Sequence, residues 1–377
     1  MSRSRTRRGI LAAVAAVALL TITAGPATAS PAPSAPPAKG AEVTRIEEQV
    51  ARDLARSLAD ADWRARLRAG ADAGTAQLGP LASGSAAPAA RDLAAGVAAA
   101  DRRIAAAKGL GADLGPLLQV QLADPAMRAA LDAGVAPLVA AATADDHART
   151  ITAYDTAGRS HLLATGKVPD RPVYLVDLDS ARTTAAGLRV LGAELARQGI
   201  DLPVARPAAP AAAAAGWWAT KVDAVEVKDD EEPWFKGDAE MFALVTGFGL
   251  DGKVRVDPVD MPYLNNDGTV YRPNQILVNW SNYKYNLADV VLMEDDGDTN
   301  YQALATAIAA VLLTIADQGA YIPLVNAVLS AVPASWWTDD PDYVDSWYTL
   351  ARTSSGRLDG AAANGWLSVS PYFVEQF

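Results

Sequence analysis

The chain has 377 residues, no cysteine and a formal net charge of −11, so disulfides, thiolate metal sites and thiol nucleophiles are excluded. The acidity is localised: residues 217–377 carry 24 acidic and 9 basic side chains, whereas residues 30–216 carry 20 of each. A part so negative repels nucleic acid and anionic lipid unless a cation intervenes, so no nucleic-acid partner is expected.

Residues 1–29 have the build of a signal peptide. Arg3, Arg5, Arg7 and Arg8 form a basic start, Ile10 to Ala24 an apolar stretch, and Ala27-Thr28-Ala29 a small-residue cleavage site. The expected location is therefore secreted or extracellular. Arg7-Arg8 also resembles a twin-arginine signal, so both export routes stay open. Residues 30–40, rich in Pro and Ala, read as a disordered tether. A helical and mixed domain is expected over 41–202. Val43, Ile46, Val50, Leu54, Leu58, Trp63 and Leu67 recur at helical spacing, and Thr44 with Glu47 has the form of a capping box. Further helices are expected over 90–108, from Asp124-Pro125 to Gly134, and over 183–198. Short strands are expected over 136–140, 150–154, 161–165 and 173–178, two of them joined as a small hairpin by Asp155-Thr156-Ala157-Gly158. Residues 203–216, again Pro and Ala, read as a linker.

From Trp217 the pattern is β-rich. Strands are expected over 219–227, 239–245, 253–256, 275–280 and 287–293, then 344–352 and 366–370. Between them lies an apolar stretch, uncharged from Tyr301 to Ala316, expected to form a helical hairpin over 301–332. Each arm is too short to span a bilayer, so packing against the sandwich is the reading adopted. The fold class is α+β: an Ala-rich helical region with a small hairpin unit, then an acidic antiparallel β-sandwich over 217–377.

Two acidic clusters carry the chemistry. Lys228 to Asp238 reads KDDEEPWFKGD and follows one expected strand; Met293 to Asn300 reads MEDDGDTN and follows another. Carboxylates gathered from two loops with few cations nearby are what a hard, oxygen-seeking ion such as Ca²⁺ requires. Asp229, Asp230, Asp238, Glu294, Asp295, Asp296 and Asp298 are the candidate metal ligands, with the divalent cation as expected partner. An EF-hand is excluded, because Tyr301 stands where its glycine belongs and Ala307 where its glutamate belongs. No Gly-x-Ser-x-Gly or His-Glu-x-x-His occurs, and the two histidines, His147 and His161, lie far in sequence from the acidic loops. Asp177-Leu178-Asp179 closes a strand as in phosphatases of the haloacid-dehalogenase type, but Ser180-Ala181-Arg182 lacks that family's next turn.

The two-loop layout resembles C2-type calcium-binding sandwiches, with a longer first loop and a helical hairpin after the second. The order of the Pro-Leu-Val-Ala strand, the Ala-Tyr-Asp hairpin, the Pro-Val-Tyr-Leu-Val strand, then EPWFKGDAEM and LMEDDGDTNYQA, resembles a secreted bacterial family, domain of unknown function 3103. That resemblance implies the architecture and no activity. The expected function is thus a non-catalytic Ca²⁺-binding extracellular module. Two other readings stay open: a hydrolase of envelope or extracellular polymers using the same carboxylates, and a protein attached to membranes or cell surfaces through Trp217, Trp218, Trp336 and Trp337.

Overall fold

The computed structural model describes residues 40–142, 148–200, 216–229, 234–235, 239–295, 297, 299–331 and 343–375. The expected signal peptide, nearly all of the tether and all but the last residue of the linker lie outside the described residues.

The apolar stripe read from Val43 to Leu67 is buried throughout. It forms two helices, α1 (Gly40–Ser57) and α2 (Ala61–Asp72), rather than one. Asp60 restarts the helix: its carboxylate accepts from the Trp63 N–H at 2.9 Å, while the Trp63 indole donates to Ser57 Oγ at 2.8 Å. Thr44 is no cap, since α1 begins at Gly40. After β1 (Ala76–Gln77), α3 (Leu78–Ser83) and α4 (Pro88–Ala107) comes β2 (Leu118–Leu122), whose LQVQL alternates buried and half-buried. Then follow α5 (Arg128–Asp132), β3 (Leu138–Ala141), β4 (Thr150–Tyr154), β5 (Ser160–Ala164), β6 (Val173–Leu178) and α6 (Ser180–Arg197). The expected hairpin is present as β4 and β5, but it is the outer edge of a six-stranded sheet ordered β1-β2-β6-β3-β4-β5. Only β3 and β6 run parallel; the other pairs are antiparallel.

The remaining strands form two four-stranded antiparallel sheets. One has the order β10 (Gln275–Asn279), β7 (Gly216–Val227), β14 (Gly365–Glu375), β13 (Gly356–Asp359). The other has the order β12 (Tyr343–Ala351), β11 (Leu287–Glu294), β8 (Met241–Phe248), β9 (Val254–Asp260). Val222, Val225, Leu367 and Val369 of the first sheet share one hydrophobic cluster with Met241, Ala243, Val290 and Leu292 of the second, which makes the pair sandwich-like.

The second sheet is covered on its other face too. Phe242, Leu244, Val291 and Met293 point away from the sandwich into a larger cluster that runs from Val43 to Ala331. All eight residues of β8 are buried for that reason, so β8, and β11 from Val290 to Met293, read as continuous rather than alternating buried runs. The parts before and after the linker segment therefore share one core. The expected helical hairpin is two short helices, α7 (Tyr301–Leu312) and α8 (Val325–Ala331), which pack on one another with a non-helical stretch between them. Among the described residues no helix is long and apolar enough to cross a membrane.

Candidate metal centre at the acidic end of the sandwich

The described flanks of the second part of the first acidic cluster and of the second cluster meet at one end of the sandwich, where β8 begins and β11 ends. Strands β8 and β11 are antiparallel neighbours with Met241 opposite Glu294, and the Asp295 N–H continues the ladder by donating to the Glu240 carbonyl at 3.1 Å. Glu240, which enters β8, therefore lies beside Asp295, which leaves β11. Val227, the last residue of β7, sits opposite Gly365 at this end, and Tyr343 of β12 opposite Met293.

Of the seven candidate ligands, three are described. Asp229 is exposed just past β7, and its backbone is clasped to the turn before β14: its N–H donates to Asn364 Oδ1 at 3.2 Å, and Asn364 Nδ2 donates to its carbonyl at 2.9 Å. Glu294 is buried at the end of β11. Asp230, Asp238, Asp296 and Asp298 lie outside the described residues. No group of three or more His, Cys, Asp or Glu placed to hold a metal occurs among the described residues.

Asp295, expected among the ligands, is occupied by protein donors instead. Its carboxylate is 0 % exposed and ion-paired to Lys108, also 0 % exposed, with Nζ 3.0 Å from Oδ1 and 3.3 Å from Oδ2. Oδ2 further accepts from the Thr184 hydroxyl at 2.9 Å and the Tyr301 hydroxyl at 2.5 Å. Burial pushes the Asp295 carboxyl up, but the Lys108 charge and the Tyr301 hydrogen bond outweigh it, and the group is held below the ordinary carboxylate range. Tyr301 is driven well above the usual phenol range by its own burial and by the adjacent carboxylate. Lys108 caps α4, Thr184 sits on α6 and Tyr301 opens α7, so this one carboxylate ties three helices to the end of β11. Asn300 strengthens the junction by capping α7 through the Ala303 N–H at 2.9 Å and donating from Nδ2 to the Ala107 carbonyl at 2.6 Å.

Two further aspartates of this sheet, which sequence reasoning passed over, are also fully buried and structural. Asp345 of β12 accepts from the backbone N–H groups of Ser346, Ala362, Asn364 and Gly365 at 2.7–3.0 Å, so it shapes the turn between β13 and β14. Asp289 of β11 accepts from Leu324 N–H at 2.5 Å and Thr349 N–H at 2.7 Å; Thr349 has a positive φ of 55°. Nothing in the residues around Asp289 or Asp345 separates them from ordinary strand positions, because all their partners but the Ser346 N–H are backbone amides distant in sequence.

A family model described as a protein of unknown function (DUF3103) matches residues 47–377. The chain belongs to that family. The match takes in the six-stranded sheet and the sandwich together, including all seven candidate ligands. Neither curated proteins nor solved structures give a match.

Away from this end, His161 lies with its Nε2 3.0 Å from Asp155 Oδ2, and the same oxygen accepts from Arg159 Nε at 2.9 Å. The His161 hydrogen bond, then those from Arg159, hold the Asp155 carboxyl well below its usual range. The Asp155 Oδ1 also accepts from the Ala157 and Arg159 N–H groups, each at 3.0 Å, which is the chemistry of a hairpin turn rather than of a nucleophile's base. His147 lies outside the described residues, as do Trp336 and Trp337. Trp218 is exposed on β7 and packs edge-on against Phe373 with centroids 5.3 Å apart.

Proposed function

We propose that this protein is an exported, non-catalytic module of C2-like build that binds Ca²⁺ at the acidic end of its sandwich. The observation that supports the reading is the register of β8 and β11: Met241 is opposite Glu294 and Glu240 beside Asp295, and in the sequence Asp229, Asp230 and Asp238 precede the one strand while Asp296 and Asp298 follow the other. Two independent runs of carboxylates delivered to one end by adjacent strands supply the oxygens that a hard cation takes. The confinement of the chain's net negative charge to residues 217–377 favours a cation there. Asp295 is not among the ligands in this reading, since Lys108, Thr184 and Tyr301 already fill its oxygens. It acts as the anchor from which the second loop departs.

The signal-like start of the chain supports export, and an extracellular setting supplies the calcium levels at which weak, loop-built sites fill. The test is calorimetric titration of Ca²⁺ into chelator-stripped protein, alongside an Asp238→Asn/Asp296→Asn double variant. Saturable heat in the parent and none in the folded variant is the expected result. Equal heats in both, or none in the parent, contradict the assignment.

A further inference from the structure

We propose that Lys108 and Asp295 are the two halves of an intramolecular amide cross-link, formed by condensation of the lysine amine with the aspartate carboxyl. Lys108 is the one lysine buried among the described residues, and both partners have fully enclosed side chains. Nζ stands 3.0 Å from Oδ1 and 3.3 Å from Oδ2, so the nitrogen already lies against the carboxyl group whose carbon it would attack. Two hydroxyl donors, Tyr301 at 2.5 Å and Thr184 at 2.9 Å, converge on Oδ2. Oδ1, the oxygen nearer the amine, takes neither of them. That asymmetry suits an acyl transfer: one oxygen is held by fixed donors where negative charge develops, and the other is left to depart.

The step balances without any further reactant. Lys108 passes one proton across the contact to Oδ1, and its free lone pair attacks Cγ. The Nζ–Cγ bond forms while Oδ2 carries the charge of the tetrahedral intermediate. A second amine proton then reaches Oδ1, the Cγ–Oδ1 bond breaks, and the oxygen leaves as water. One proton stays on the amide nitrogen. Nothing is oxidised or reduced. In water this condensation is opposed by the hydration of the two ions, but in an enclosed pocket that hydration is already lost, and the product removes both buried charges. The linked residues are 187 apart and join α4 to the end of β11. In a chain with no cysteine, such a bond would close a long loop of the unfolded state as a disulfide does elsewhere.

Peptide mapping of the purified full chain, after denaturation, tests this. The expected product is one branched species containing Lys108 and Asp295, lighter than the two separate peptides by one water. Recovery of both peptides separately and in full from folded protein overturns the proposal without recourse to any variant. Asp295→Asn is expected to give the same branched species with loss of ammonia instead of water, and Lys108→Arg to give none. Persistence of the branched species in Lys108→Arg would assign the link to another amine and overturn the proposal. In Tyr301→Phe the cross-linked fraction at a fixed time after refolding is expected to fall severalfold; an unchanged fraction would remove Tyr301 from the reaction.

Discussion

Truncating Lys108 leaves an aspartate sealed in the core with no counter-charge, and that asymmetry sets the largest single-residue effect expected here. Lys108→Met is predicted to cost about 3–5 kcal/mol in urea unfolding, because breaking one side of a buried pair strands the other. The double variant Lys108→Met/Asp295→Leu, which strands no charge but still lacks the cross-link, is predicted to fall between the single variant and the parent, and a double variant as unstable as the single would show that the stranded charge is not the cause. Asp345 offers a second case. Its carboxylate holds four backbone N–H groups, so Asp345→Ala is predicted to cost at least about 3 kcal/mol, measured by the urea midpoint. At this scale little of the site was legible in advance. Asp295 and Asp296 are adjacent, identical residues in one acidic run, and only Lys108, 187 positions earlier, separates a structural anchor from a candidate ligand. A lysine ending an Ala-rich helix is otherwise an ordinary C-terminal cation.

Between elements, α6 and α7 approach closely. A Cβ placed on Gly187 would lie 2.0–2.3 Å from ring atoms of Tyr301, so α6 needs glycine there for the tyrosine to reach Asp295. Gly187→Ala is predicted to cost about 1–3 kcal/mol by overpacking and to weaken the Tyr301 bond to Asp295, read from the urea midpoint together with tyrosine absorbance. The segment after α7 is pinned differently. Asp317 accepts from Lys284, from the Tyr285 hydroxyl at 2.6 Å and from the Gly319 N–H at 2.9 Å, which hold its carboxyl down to about 2. A depressed acid stabilises the fold above its unfolded pKa of about 4, and that contribution fades as pH falls toward about 2. The urea midpoint is therefore predicted to drop between these pH values more in the parent than in Asp317→Asn, and equal drops would contradict the assignment. Elements with a clear pattern were readable from sequence: the stripe of α1 and the strand expected over 219–227, which is the greater part of β7, are both where the residues place them. Of the six-stranded sheet, β3 to β6 are expected from the sequence, two of them as a hairpin, but neither β1 nor β2, because β2 is five residues long between loops and its partner β6 lies more than fifty residues on.

Across the whole molecule, the second sheet of the sandwich is the middle layer, buried against the first sheet on one side and against helices on the other. That arrangement explains why β8 and β11 carry apolar side chains on both faces, with Asp289 admitted only because backbone N–H groups satisfy it. An ion held at the acidic end of the sandwich would hold two loops of like charge together and select the folded state by mass action. Thermal melting of chelator-stripped protein with and without added Ca²⁺ tests this most directly. At a hundredfold excess over Kd the account predicts about 2.7 kcal/mol of added stability and a melting temperature raised by several degrees, reversed by chelator. Superimposable melting curves across millimolar Ca²⁺ would contradict it.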